Sequence, residues 1–89
     1  PLGPWIETDV DVASQEVVCT VNGQVRQSGS TADLVRGVAE LVEFVSAVMT
    51  LLPGDVLLTG TPAGVGPLEA GDVVDCTVGG IGTLSNPVK

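Results

Sequence analysis

Apolar and polar residues alternate along "VVCTV", with Val17, Cys19 and Val21 on one side, and the alternation stops at Asn22-Gly23. Period-two patterning marks a strand with one covered face, and Asn-Gly is the dipeptide favoured in two-residue type I′ turns. Residues 15–28 are therefore expected to form a β-hairpin, with Val25 on the return strand. From residue 30 the period changes. Leu34, Val38, Leu41, Val42, Val45, Val48, Met49 and Leu52 recur at helical spacing, while Arg36, Glu40 and Glu43 fall off the stripe. Ser30 with Asp33 resembles a capping box, so a helix over 30–52 is predicted, ended by Pro53-Gly54. Beyond it, "DVLLTG" (55–60), "DVVDCTV" (72–78) and "IGTLSN" (81–86) read as strands, the last two joined at Gly79-Gly80. "LLPGDVLL" and "LEAGDVVD" share a Leu-x-x-Gly-Asp-Val pattern, read as one kind of Gly-Asp turn feeding two strands. The order hairpin, helix, strands predicts an α+β, β-rich chain with one amphipathic helix packed on the strands.

Between the strands at 55–60 and 72–78 lies "TPAGVGPLEA", a stretch too rich in glycine to be needed for a simple reversal. Nucleotide-binding loops require a glycine pattern opening a helix, or a lysine after it. Here Gly60, Gly64 and Gly66 are spaced four and two, no lysine is present, and Pro67 comes next. The pair Gly60-Thr61 is of more interest, because glycine lets a ligand approach the backbone and threonine offers a hydroxyl and an N–H. On local grounds the segment is either such a wall or a wide connection that needs several unusual backbone angles.

Charge narrows the partners. Eleven acidic residues face three basic ones, Arg26, Arg36 and Lys89, for a net charge of -8. Nucleic acid and anionic membrane surfaces both demand clustered Lys and Arg, so neither is expected as a partner. A small anionic substrate would meet no basic pocket, and positive charge would have to come from a metal ion or another chain. With 44% hydrophobic residues the composition is globular. No histidine is present, and Cys19 and Cys76 stand 57 residues apart, which disfavours a zinc site; both cysteines read as reduced thiols in a cytoplasmic protein. Without histidine there is also no Ser-His or Cys-His pair. Glu7-x-Asp9-x-Asp11 would line one face of an extended segment; the pattern fits a cation ligand set or, more commonly, charges that deter edge pairing.

The blocks "GPWIETD", "VNGQVRQSGSTADLV", "LLPGDVLLTGTPAGVG", "LEAGDVV" and "GIGTLSNPV" resemble, in order and spacing, the C-terminal half of the fumarylacetoacetate hydrolase family. The branch with 2-hydroxyhepta-2,4-diene-1,7-dioate isomerases and acylpyruvate hydrolases is the most similar. The resemblance covers nearly all of residues 1–89 and implies that they form the C-terminal portion of a catalytic domain, a mixed β-sandwich roll incomplete as given. It implies a homodimer that binds Mg²⁺ or Mn²⁺ and acts on small oxo-acids by isomerisation, decarboxylation or C–C bond hydrolysis. In such a site the metal would chelate the keto-acid and stabilise the developing enolate.

The resemblance also implies what this chain lacks. The family's Glu-x-Glu metal ligands, a later aspartate, a His-Glu dyad and a lysine lie upstream of Pro1, so no catalytic or metal-ligating residue is expected within these 89. What carries over is substrate binding by Thr61 and Gly60, with Pro62, Gly64 and Gly66 shaping the wall. Gln27 and Thr31 are expected as structural support. A companion polypeptide or an N-terminal half is expected to supply the metal site and to cover apolar sheet surface. The competing expectation is a non-catalytic β-rich module that serves only for association.

Overall fold

The computed structural model describes residues 1–89. Four strands form one open antiparallel sheet: β1 (Glu16–Val21), β2 (Gln24–Ser30), β3 (Val73–Val78) and β4 (Gly82–Pro87), in the order β2-β1-β3-β4. One helix, α1 (Val38–Val48), lies between β2 and β3 in sequence. The α+β class is thus as expected, with a single sheet inside this chain.

The β1–β2 hairpin turns where the sequence predicts. Asn22 and Gly23 adopt φ of 50° and 77°, the paired positive angles of a type I′ turn. Asn22 does more than turn the chain. Its backbone N–H donates to the Val73 carbonyl at 2.9 Å, its side-chain oxygen accepts from the Val73 N–H at 2.9 Å, and its amide donates to Asp72 at 2.8 Å. The hairpin tip is thereby stitched to the start of β3. Further along, the β1–β2 register shifts between Cys19 and Thr20, leaving Arg26 as a bulged extra residue.

Direct pairing across β1, β3 and β4 fixes which side chains share a face. Val17, Cys19 and Val21 stand opposite Val78, Cys76 and Val74, and Cys76 in turn opposite Leu84. The other face carries Thr20, Asp75, Thr77, Thr83 and Ser85, with the Thr77 and Thr83 hydroxyls 2.8 Å apart. One apolar face and one polar face is the usual state of an antiparallel sheet covered on one side only. Partial cover comes from the N-terminal segment, where the Trp5 ring lies over Gly82, and from the loop around Pro62 on Gly29. Val21 alone is buried.

Two predicted elements differ. The helix over 30–52 is shorter and later. Ser30 and Asp33 do exchange capping bonds: Ser30 Oγ accepts from the Ala32 N–H at 3.1 Å and Asp33 from the Ser30 N–H at 3.1 Å. They cap only a single 3-10 turn, Thr31–Asp33, because Leu34 then becomes extended at φ −61°, ψ 130°. Such caps are satisfied by one turn, and they do not by themselves commit the following residues to a longer helix. The true helix starts after Gly37, whose N–H donates to Glu40 at 3.0 Å, and ends as Met49 turns extended. Nor does α1 pack on the sheet: close element packing runs strand to strand, and no residue of α1 is fully buried.

Residues 55–60 are the second departure, since they form no strand. Leu58 is 89% exposed, and no ladder partner stands beside it. A strand is a pairing as well as a pattern, and the apolar run alone cannot supply the neighbour. The repeated Gly-Asp turn is nevertheless real. Asp55 accepts from the Leu52 N–H at 2.8 Å and returns its own N–H to the Leu52 carbonyl at 3.0 Å. Asp72 does the same with Glu69, at 2.8 and 3.1 Å. Gly54 and Gly71 take nearly equal φ, 93° and 97°.

Candidate functional site

One polar side chain, Gln27, holds the segment after residue 58 against the sheet. Gln27 lies on β2, in the row shared with Cys19 and Cys76. Its amide Nε2 donates to Thr61 Oγ1 at 2.7 Å and to the Pro62 carbonyl at 2.6 Å. Both amide hydrogens are therefore spent on the loop, and one lone pair of the Thr61 hydroxyl is occupied. The hydroxyl keeps its own proton to donate.

The loop can lie this close because of glycine. A Cβ at Gly64 would run into the Arg26 carbonyl, and the residue has φ +109°, a region that L side chains rarely adopt. Gly60 also stands at φ +120°, with open space about it beyond the Leu34 side chain at 4.0 Å. Gly66 meets only the Arg26 guanidinium, at an ordinary 3.6 Å. Of the expected wall residues, Gly64 sets the approach to β2, whereas Gly66 is under no steric demand.

Between this loop and the β2 end lies a cavity of about 280 Å³. Gly60, Thr61 and Pro62 form one side, and the Gly29–Ser30 backbone, Asp33 and Leu34 the other. Thr31 anchors that second side: its hydroxyl accepts from the Gln15 N–H at 2.8 Å, and its N–H donates to the Gln15 carbonyl at 2.8 Å. Gln27 and Thr31 thus both bear on the site by positioning it. Thr31 apart, the sequence pattern did not disclose the contribution of Gly29 through Leu34. Its available signal was the block "VNGQVRQSGSTADLV", in which these residues fall.

Glu7, Asp9 and Asp11 do not gather into a ligand set. Glu7 accepts from the Asp9 N–H at 2.9 Å, and Asp11 from the Ala13 N–H at 3.0 Å and the Ser14 hydroxyl at 3.4 Å. They close local turns, and no strand runs there whose edge they could protect. No group of three or more His, Cys, Asp or Glu stands close enough to hold a metal ion anywhere in the chain. The residues present do not fit a metal centre of their own. No helix is long and apolar enough to cross a membrane.

The sequence profile described as fumarylacetoacetate (FAA) hydrolase C-terminal matches residues 1–89. The chain belongs to the fumarylacetoacetate hydrolase family. Within that family it is similar to the crystal structure of a 5-carboxymethyl-2-hydroxymuconate delta-isomerase from Mycobacterium smegmatis, at 64% identity and TM-score 0.97, covering 99% of this chain and 35% of that one. It is also similar to a maleylpyruvate hydrolase from Sphingobium sp. SYK-6 solved with manganese(II) ion and pyruvate, at 40% identity and TM-score 0.92, covering 97% and 34%. A mitochondrial oxaloacetate decarboxylase of Dictyostelium discoideum is 40% identical over 85 residues, covering 93% of this chain and 39% of that protein. Fumarylacetoacetate hydrolase-family relatives of this chain are thus isomerases, hydrolases and decarboxylases of oxo-acids. The chain spans between 32% and 40% of the length of the curated relatives it matches.

Proposed function

We propose that these residues form the C-terminal portion of a catalytic domain and supply the substrate-facing wall of a divalent-metal-dependent oxo-acid enzyme. The observation that carries the reading is the Thr61 hydroxyl, held by Gln27 at the edge of the cavity with its proton free to donate. A hydroxyl so arranged suits one oxygen of a carboxylate, and Gly60 beside it leaves the backbone open to close approach. The reaction is isomerisation, decarboxylation or C–C bond hydrolysis of a 2-oxo acid, its enol or an acylpyruvate. Mg²⁺ or Mn²⁺, the proton-transfer groups and the positive charge that a net -8 chain lacks come from outside these residues. The protein that carries the chain works as a cytoplasmic homodimer on this reading.

The test is Thr61→Val in the complete protein, assayed with acylpyruvate and with oxaloacetate. A hydrogen bond to a charged group contributes about 1.5–3 kcal/mol, so turnover efficiency should fall roughly 10- to 100-fold. The melting temperature should stay close to wild type, and Thr61→Ser should recover most of the loss. Kinetics unchanged by Thr61→Val would return the loop to a structural role, as a purely associative module requires.

A further inference from the structure

The register of β1 and β3 sets Cys19 directly opposite Cys76, and the Cys76 thiol points at the Cys19 sulfur with the two Sγ atoms 3.8 Å apart. Residues 57 apart in sequence are here in van der Waals contact. The ladder also tells which kind of pair they are. Asn22 donates to the Val73 carbonyl and Gly79 to the Glu16 carbonyl, which marks 22/73 and 16/79 as hydrogen-bonded pairs. Alternation along an antiparallel ladder then makes Cys19–Cys76 a non-hydrogen-bonded pair. Such pairs hold their Cα atoms about 4.5 Å apart, the nearer of the two spacings. Disulfides span Cα separations of about 4.4–6.8 Å, so this pair falls within reach, near the short end of that range.

We propose that Cys19 and Cys76 are a reversible dithiol–disulfide pair, oxidised by a peroxide. Cys76, the exposed member, reacts first. Its thiolate attacks one peroxide oxygen, the O–O bond breaks, and the sulfur becomes a sulfenic acid as one water leaves. Cys19 then attacks that sulfur, the S–S bond forms, the S–O bond breaks, and a second water departs with the thiol proton. Two thiols and one hydrogen peroxide give one disulfide and two waters, and the two electrons end on the peroxide oxygens. A dithiol reductant reverses the bond by exchange. With Cys76 exposed, the bond belongs with the readily reduced disulfides rather than the permanent ones. Burial and the neighbouring Cys76 raise the Cys19 thiol above its ordinary range, which agrees with Cys19 as the resolving partner. No third ligand-bearing side chain of the chain stands by to make the pair a metal site.

The experiment treats the purified, fully reduced protein with equimolar hydrogen peroxide, blocks remaining thiols with iodoacetamide and weighs it under denaturing, non-reducing conditions. The expected result is a loss of about 2 Da with no alkyl group on either cysteine, restored by dithiothreitol. Trypsin cuts after Arg26 and Arg36, so the cysteines fall on different peptides that the bond should hold together. In Cys19→Ala, dimedone should label Cys76 stably, whereas the wild type should be labelled several-fold less. Equal labelling of the two proteins, a bond between two molecules in place of one within, or both thiols still alkylated after peroxide would overturn the proposal.

Discussion

Gly64 and Gly66 separate steric demand from composition within one loop. An alanine methyl at 64 would meet the Arg26 carbonyl while its backbone sat at φ +109°. Strain of this kind costs about 1–3 kcal/mol before any overlap is relieved. Gly64→Ala should therefore lower the unfolding free energy by at least about 2 kcal/mol in denaturant titration, while Gly66→Ala stays within about 0.5 kcal/mol. Equal effects would mean that the loop does not press on β2 at Gly64. Asp72 is the other instructive residue. The Glu69 backbone N–H and then the Asn22 amide favour its charged form, and its pKa lies below the ordinary carboxylate value. A depressed carboxylate stabilises the fold above its unfolded pKa of about 3.9, and the contribution is lost as pH falls through the folded value. Stability should thus drop on acidification below about pH 4, and Asp72→Asn should flatten that limb by lowering stability at neutral pH, the two proteins converging as the pH falls.

At the level of elements, the hairpin tip illustrates how one side chain joins non-adjacent strands. Asn22 both adopts a positive φ and bonds to Asp72 and Val73. Asn22→Gly keeps the turn and removes the side-chain bonds, which should cost about 1 kcal/mol for an exposed pair. Asn22→Ala removes both and should cost about 2 kcal/mol, read from the same denaturant midpoints. If the two variants are equally destabilised, the turn angle contributes little. The two Gly-Asp turns make the complementary point. They are built from the same bonds at Asp55 and Asp72, yet only the second leads into a strand. Local turn chemistry decides where the chain bends, and the availability of a partner decides whether a strand comes after the bend.

Viewed whole, the chain leaves much apolar surface uncovered: Ile6 is 91% exposed, Val35 100% and Leu58 89%. The chain spans about a third of the length of the relatives it matches. The absence of a metal-ligating cluster bears on catalysis. The 89 residues alone should bind no Mg²⁺ tightly and turn over no oxo-acid, since they hold no metal-ligating cluster. Calorimetry on the isolated chain is the check, and micromolar Mg²⁺ affinity there would refute the assignment of the metal site to residues outside it.

The sequence by itself determined the parts governed by neighbours along the chain. The type I′ turn at Asn22-Gly23, both Gly-Asp turns, the period-two patterning of residues 17–21 and the Ser30–Asp33 cap arise from residues within a few positions of one another. The family blocks were legible for the same reason, being contiguous strings. Only the tertiary structure decided that the helix begins after Gly37, because a cap is satisfied by one turn and Leu34 then turns extended along the cavity wall. It alone decided that 55–60 stays unpaired, that Gln27 reaches across 34 residues to Thr61, and that Cys19 meets Cys76. Those are pairings between distant segments, and the register that makes them is a property of the assembled sheet.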